Sequence, residues 1–185
     1  MNKVKYGLKN VHYAIVTETA GVVTYGTPKR IPGAVSLALT PKGEKTEFFA
    51  DDTSYFIANS NQGYEGTIEL ALVPDEFKVL VLGWLKDIND VLFEDSNANA
   101  KNIALMFEFT GDAKAIRHVF YKVHTARPSV ESTTKSQTKE IKTETLNMTA
   151  SPAIDTGYVK AKAEVGTDPY ATWFAQVYTF DALGV

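Results

Sequence analysis

The sequence predicts a mainly β protein, a β-sandwich or partly closed barrel, with one flanking α-helix. Over 34–41 and 66–73 every second residue is apolar, which is typical of strands with one buried face and one face in water. From 75 to 86 the apolar period lengthens to between three and four residues, which indicates a helix with a single apolar stripe.

The first half of the chain is interpreted as six strands that precede this helix. They are predicted near 11–17, 22–25, 34–41, 44–50, 54–58 and 66–73, with boundaries uncertain by about two to four residues. The apolar faces of the third and sixth strands consist of Val35, Leu37, Leu39, Ile68, Leu70 and Leu72. A turn at Pro41-Lys42-Gly43 separates the third strand from the fourth.

The helix is predicted over 75–86. Pro74 stands where the helix should begin, and Asp75 and Glu76 place negative charge in its first turn, where the helix dipole favours it. We expect one side of this helix to pack against the sheet and to supply the core residues Phe77, Val81, Trp84 and Leu85.

Four more strands are predicted after the helix, near 103–110, 116–125, 138–148 and 157–164. In the first of these, alternate residues from Ile103 to Phe109 form an apolar face. The intervening segments 87–102 and 129–140 are mostly polar, and we expect them to be solvated loops.

One polar segment, 42–62, contains aromatic residues that a loop does not explain. We expect a hairpin with a turn at Asp51-Asp52-Thr53, at its tip or shoulder, because adjacent aspartates on an extended strand would point to opposite faces and could not act as an acid/base pair. Aromatic side chains in such a hairpin need a surface to cover them. The candidates for subunit assembly are therefore Phe48, Phe49, Tyr55 and Phe56.

Composition limits the class of protein. With 185 residues, 44% of them hydrophobic, the chain is long enough for one domain with a substantial core, and we interpret 1–185 as a single domain. A formal net charge of -3 gives no reason to expect a surface that binds nucleic acid or anionic membrane. The absence of cysteine excludes disulfides, thiolate metal sites and a cysteine nucleophile.

No membrane or secretory segment is predicted. The chain has no run of 18 apolar residues, and the apolar stretch after the N-terminal lysines is broken by His12, Thr17 and Glu18. We therefore expect a protein that is made and kept in the cytoplasm or that leaves it by a route other than secretion.

The histidines do not predict a metal or catalytic site. His118 and His124 fall on one predicted strand and would be about 20 Å apart at about 3.3 Å per residue, which is too far to share a metal. His12 lies on another strand with no feature that would bring it close.

Other catalytic patterns are also missing from the sequence. The acidic pairs Asp51-Asp52 and Glu44/Glu47 lack the arrangement of a calcium loop, and Ser60 has no nucleophile-elbow context. The glycines fit neither phosphate-binding spacing. Basic residues show a modest excess that is expected to form a solvated face, at Lys139, Lys142, Lys160 and Lys162. We predict that the protein is not an enzyme and has no cofactor.

The first half of the chain resembles the major tail protein family of long-tailed bacteriophages with non-contractile tails. Four runs carry the resemblance, in this order: Ile31-Pro32-Gly33-Ala34-Val35-Ser36-Leu37, Phe48-Phe49-Ala50-Asp51-Asp52, Gly63-Tyr64-Glu65-Gly66 and Pro74-Asp75-Glu76-Phe77. The second half is similar in strand content and length.

This resemblance implies a structural virion protein. Six copies would form a ring, and stacked rings would form the tail tube through which the genome leaves. The implied partners are other copies of the chain, the tape-measure protein, and tail terminator or tail-tip proteins. Double-stranded DNA would pass through the tube without specific binding. The immunoglobulin-like C-terminal extension of some members is not expected here, and the tube protein of type VI secretion systems is a near variant.

Two other functions remain open. A β-sandwich with long polar loops would equally suit a binding module, such as a capsid-decoration or adhesin protein. An enzyme on a β scaffold is the third, and the search for catalytic patterns argues against it.

Overall fold

The computed structural model describes residues 6–109, 111, 115–132 and 142–180. The strands in these ranges are β1 (Leu8–Thr19), β2 (Val22–Tyr25), β3 (Lys29–Arg30), β4 (Ala34–Lys42), β5 (Lys45–Ala50), β6 (Thr53–Asn59), β7 (Gly63–Leu70), β8 (Leu85–Lys86), β9 (Leu92–Phe93), β10 (Ile103–Phe109), β11 (Arg117–Thr125), β12 (Glu144–Ser151) and β13 (Lys160–Ala163). One α-helix, α1 (Asp75–Leu80), and one 3₁₀ turn, Asp168–Tyr170, complete the described elements.

Nine of these strands form one antiparallel sheet. Its order is β2-β1-β10-β11-β12-β7-β4, with β3 also paired to β1 and β13 also paired to β11. The sheet curves so that β4 approaches β1 across the core. The mainly β class with a single helix is therefore confirmed, and the arrangement is sandwich-like.

The larger core lies on the concave side of the sheet, under the helix. Apolar side chains of β1, β4, β7, β10, β11 and β12 form this core, and Phe77 of α1 packs among them. Phe77 is 1% exposed, and its ring meets the ring of Tyr13 edge-on at 5.0 Å. Val81, directly after the helix, is also fully buried.

A second, smaller core covers the other side of β1, β10 and β11. Ala104 and Met106 point into it from β10, and Trp173 from the C-terminal segment covers them. Residues 103–108 are therefore buried on both faces of β10. The alternation of apolar residues predicted one buried face here, because it did not anticipate the contribution of Trp173, which is 1% exposed.

An ion-pair network holds this C-terminal segment in place. Glu108, on β10, accepts hydrogen bonds from Asn10 Nδ2 at 2.7 Å and from Arg117 Nε at 2.9 Å. Burial disfavours its charge, but these donors and Lys9 outweigh that effect and hold the pKa of Glu108 below its usual range. The Arg117 guanidinium also lies 3.9 Å from the ring centre of Tyr170. The segment is thus attached by charge and by stacking as well as by Trp173.

The predicted helix is too long at its C-terminal end. The helix ends at Leu80, because Gly83 adopts a left-handed conformation with φ of 78° and reverses the chain. Val81 keeps its predicted place in the core, but Trp84 is only half-buried, and Leu85 lies in β8 and is 58% exposed. The prediction was wrong for Leu85 and for the helical placement of Trp84.

Two strand predictions also need correction. A bulge in β4 between Ala34 and Ser36 turns Ala34 inward and leaves Val35 51% exposed. Strand β7 ends at Leu70, and Leu72 beyond it is 61% exposed. Leu37, Leu39, Ile68 and Leu70 face the core as predicted.

The remaining boundaries agree within a few residues. β12 begins at Glu144, and the first residues of the strand predicted over 138–148 lie outside the described ranges, as does most of the 129–140 loop. In the predicted loop 87–102, the structure adds β9, which pairs with β8.

Candidate functional site

The 42–62 segment forms a hairpin that extends the β4–β7 pair beyond the main sheet. The Gln62 N–H donates to the carbonyl of Lys42 at 2.9 Å, and the Ser60 N–H donates to that of Glu44, also at 2.9 Å. A Cβ at Gly43 would lie 2.0 Å from the Ser60 carbonyl oxygen, so this close crossing requires glycine. We call residues 43–62 the aromatic arm. It reaches about 25 Å past β4 at about 3.3 Å per residue.

The tip of the aromatic arm is a tight two-residue turn. Asp51 and Asp52 both have positive φ, 51° and 59°, which is the conformation of a type I′ turn. Aspartate tolerates this conformation better than most residues do, and the turn matches the twist of the flanking strands. The predicted turn at Asp51-Asp52 is confirmed.

The four candidate assembly residues all lie on this arm, and all are exposed. Phe48 and Phe56 stand directly opposite each other, at 59% and 58% exposure. Phe49, at 62%, follows on the other face, and Tyr55, at 75%, is the extra residue of a bulge. None of the four belongs to either core cluster. Their role in assembly stays a prediction.

A second surface of interest is the open polar face of β4, β7 and β12. It lies on the same side of the sheet as the smaller core. The C-terminal segment covers β1, β10 and β11 there. Paired residues across the three strands form the rows Ser36-Glu69-Thr145, Ala38-Thr67-Asn147 and Thr40-Glu65-Thr149. Small polar side chains and carboxylates therefore dominate this face.

The polar face carries two carboxylates, Glu65 and Glu69, and a lysine lies beside the first of them. Hydrogen bonds from Thr143 and Ser36 lower the pKa of Glu69, so this carboxylate is ionised at neutral pH. Lys42 lies 3.8 Å from Glu65 on this face, and next to the face Lys122 on β11 lies 2.7 Å from Glu18 on β1. Each of these two lysines thus has a carboxylate beside it.

The turn between β8 and β9 forms a further apolar surface. Leu85 and Phe93 pair across it at 58% and 52% exposure, and Ile88 at its end is 99% exposed. Asp87 Oδ1 accepts hydrogen bonds from the N–H groups of Asn89 and Val91, which fixes the turn. The only sequence signal was the short apolar run Val91-Leu92-Phe93 in a polar segment.

The three histidines have different surroundings in the structure. The His12 ring stacks on Phe174 at 4.6 Å, and His118 stacks on Phe107 at 5.2 Å. His124 is exposed on β11, opposite Thr149. Within the ranges that the structure describes, no group of three or more histidine, aspartate or glutamate residues is arranged to hold a metal ion.

Of the four lysines of the predicted basic face, Lys160 is engaged with a neighbouring aromatic ring. Lys160 Nζ donates to the hydroxyl of Tyr64 at 2.6 Å and lies 4.5 Å from its ring centre. Lys162 and Lys142 are exposed, and Lys139 lies outside the described residues.

Among the described helices, none has the length and apolar character that crossing a membrane requires. The chain matches no protein-family model and no curated protein sequence.

Proposed function

We propose that this chain is a structural virion protein that polymerises as stacked hexameric rings into the tail tube of a long-tailed, non-contractile bacteriophage. The observation that carries the proposal is the aromatic arm, which extends the sheet and exposes four aromatic side chains. An arm of this kind on an otherwise well-packed domain is expected where other copies of the chain cover it.

The polar face supports the same proposal. A conduit for DNA must let the duplex slide, so its wall should offer small polar groups and should not present a stripe of unpaired cations. Thr67, Asn147 and Thr149 provide such groups, and Glu65 and Glu69 repel phosphate. We propose that this face lines the lumen. Open sheet edges, at β2 and β4, would then join neighbouring subunits in a ring.

The proposed setting follows from this function. The subunit would be made in the cytoplasm of the host bacterium and would end in the virion tail. Its partners would be other copies of itself, the tape-measure protein that occupies the growing tube, and the terminator or tip proteins at its ends.

Negative-stain electron microscopy of the concentrated, purified chain tests the proposal. Rings with a central hole, or tubes built from them, are the expected result. Dispersed monomers or trimers at every concentration would contradict it and favour a capsid-decoration or adhesin module.

The lumen assignment gives a separate prediction about DNA. We expect no measurable binding of duplex DNA by the isolated protein at physiological salt in an electrophoretic shift assay. The reason is that Lys42 on the polar face and Lys122 next to it already neighbour carboxylates, while binding needs cations that replace the counterions of phosphates.

A charge-reversed variant provides the matched comparison. Glu65→Lys with Glu69→Lys should gain binding that weakens steeply as salt rises, since both positions lie on the proposed lumen face. Micromolar, salt-sensitive binding by the unmodified chain would contradict the lumen assignment and direct attention to Lys142, Lys160 and Lys162.

A further inference from the structure

The two faces of the aromatic arm are equally uncovered. Side chains alternate between the faces of a strand, so Phe48 and Phe56 share one face, while Phe49 shares the other with Ile57. The exposed fractions are 59% and 58% on the first face and 62% and 50% on the second. The chain therefore covers neither face in preference to the other.

The exposed area is large enough for a specific protein contact. An aromatic side chain buries 150–250 Å² in full, so the four on this arm, at 58–75% exposure, present roughly 500 Å². A stable interface buries about 800 Å² on each partner, and the aromatic arm supplies much of that. Phe48 and Phe56 lie on one face and Phe49 and Ile57 on the other, so covering one face would leave apolar side chains of the other in water.

The arm also has the layout of a protein interface. Its apolar centre is bounded by charged groups, with the ion pair of Lys45 and Glu47 toward the base and Asp51 and Asp52 at the tip. An apolar centre with a polar rim is the usual anatomy of a protein–protein contact.

Five cavities on the described residues can be compared with the size of the arm. Those cavities measure about 320 to 550 Å³, which suits a small molecule, and polar residues contribute much of their lining. A two-stranded ribbon needs a larger space, and two copies side by side can provide it.

We infer that the aromatic arm is clamped between two other copies of this chain, one against the Phe48–Phe56 face and one against the Phe49–Ile57 face. This inference rests on the proposed function and deepens it, because it names both occupants of the arm. It also requires that two copies already lie side by side before a third can dock fully.

Two face-specific variants test the inference. Phe48→Ser with Phe56→Ser removes one apolar face, and Phe49→Ser with Ile57→Ser removes the other, with the same number of changes in each. Each variant should raise the protein concentration needed for tube formation at least tenfold. If either variant assembles at the wild-type concentration, that face is not a contact and the inference is overturned.

Photo-crosslinking identifies the two occupants directly. One variant carries p-benzoylphenylalanine, an aromatic of similar shape, in place of Phe48, and a second variant carries it in place of Phe49. Each variant is assembled together with isotope-labelled wild-type chain. We expect intermolecular cross-links from the two positions to map to two surfaces that do not overlap. The inference is overturned if both positions cross-link to the same surface, or if only one position cross-links in well-formed tubes. Either result would leave the tube proposal standing. A wild-type chain that never polymerises would overturn both.

Discussion

A chain carrying Phe48→Ser and Phe49→Ser should fold normally and form no tubes. Both side chains are about 60% exposed in the subunit, so their loss removes little burial from the folded state. Surface substitutions of this kind usually change the free energy of unfolding by less than about 0.5 kcal/mol. Assembly should fail because one aromatic is lost from each face of the arm. Thermal melting followed by circular dichroism measures the first effect, and negative-stain microscopy measures the second.

Val130→Ser is the matched control for this variant. Val130 is 94% exposed and lies outside the aromatic arm, so the change removes exposed apolar surface elsewhere. The control should melt and assemble as the wild type does. Normal tube yield from the Phe48/Phe49 variant would show that the arm is not an assembly element.

The largest effect on stability is expected from Phe77→Ala. Phe77 is the buried centre of α1 and contacts Tyr13, and replacing such a residue with alanine costs about 3–5 kcal/mol. For a chain of this length each kcal/mol lowers the melting temperature by about 2–4 °C, so we expect a decrease of roughly 10 °C. Differential scanning calorimetry checks the value.

Leu85→Ala serves as the comparison for Phe77→Ala, because the sequence analysis predicted both residues on one apolar stripe of the helix. Leu85 is 58% exposed in β8, so its loss should cost less than about 1 kcal/mol. Trp84→Ala should fall between the two, since its side chain is half-buried against the larger core. Equal losses for Phe77→Ala and Leu85→Ala would mean that the helix continues through residue 86 after all.

Local patterns explain which parts of the fold could be predicted. Alternation located β4 and β7, because a strand with one wet face must alternate, and alternate apolar and β-forming residues also located β10 and β11. The Asp51-Asp52 turn and the exposed aromatics of the arm were also predictable, since their conformation depends on neighbours within a few residues. These are the parts on which the proposed function depends most.

The missed features depend on distant residues. Nothing near Ala104 and Met106 indicates that Trp173 will cover them. The helix was predicted too long because its apolar stripe continues past Gly83, where the backbone turns away. The order of strands in the sheet and the location of the polar face likewise follow from pairings that sequence periodicity does not encode.

The strand order also has a consequence for folding during synthesis. The aromatic arm pairs residues that are close in sequence, as in Lys45 with Asn59, and such hairpins form in about 1–10 μs. The main sheet waits for much later residues, because β1 pairs with β10 and β7 pairs with β12, which ends at Ser151. At about 5–20 residues per second, a ribosome needs roughly 5–20 s to proceed from the arm to that strand.

A two-stranded hairpin alone is only marginally stable, so the arm of a nascent chain forms and melts repeatedly during those seconds. Its aromatic side chains meet water, or other nascent chains, before the subunit has a core. The segment that most needs partners is therefore among the first to be made, and slower translation would lengthen the period in which premature aggregation competes with folding.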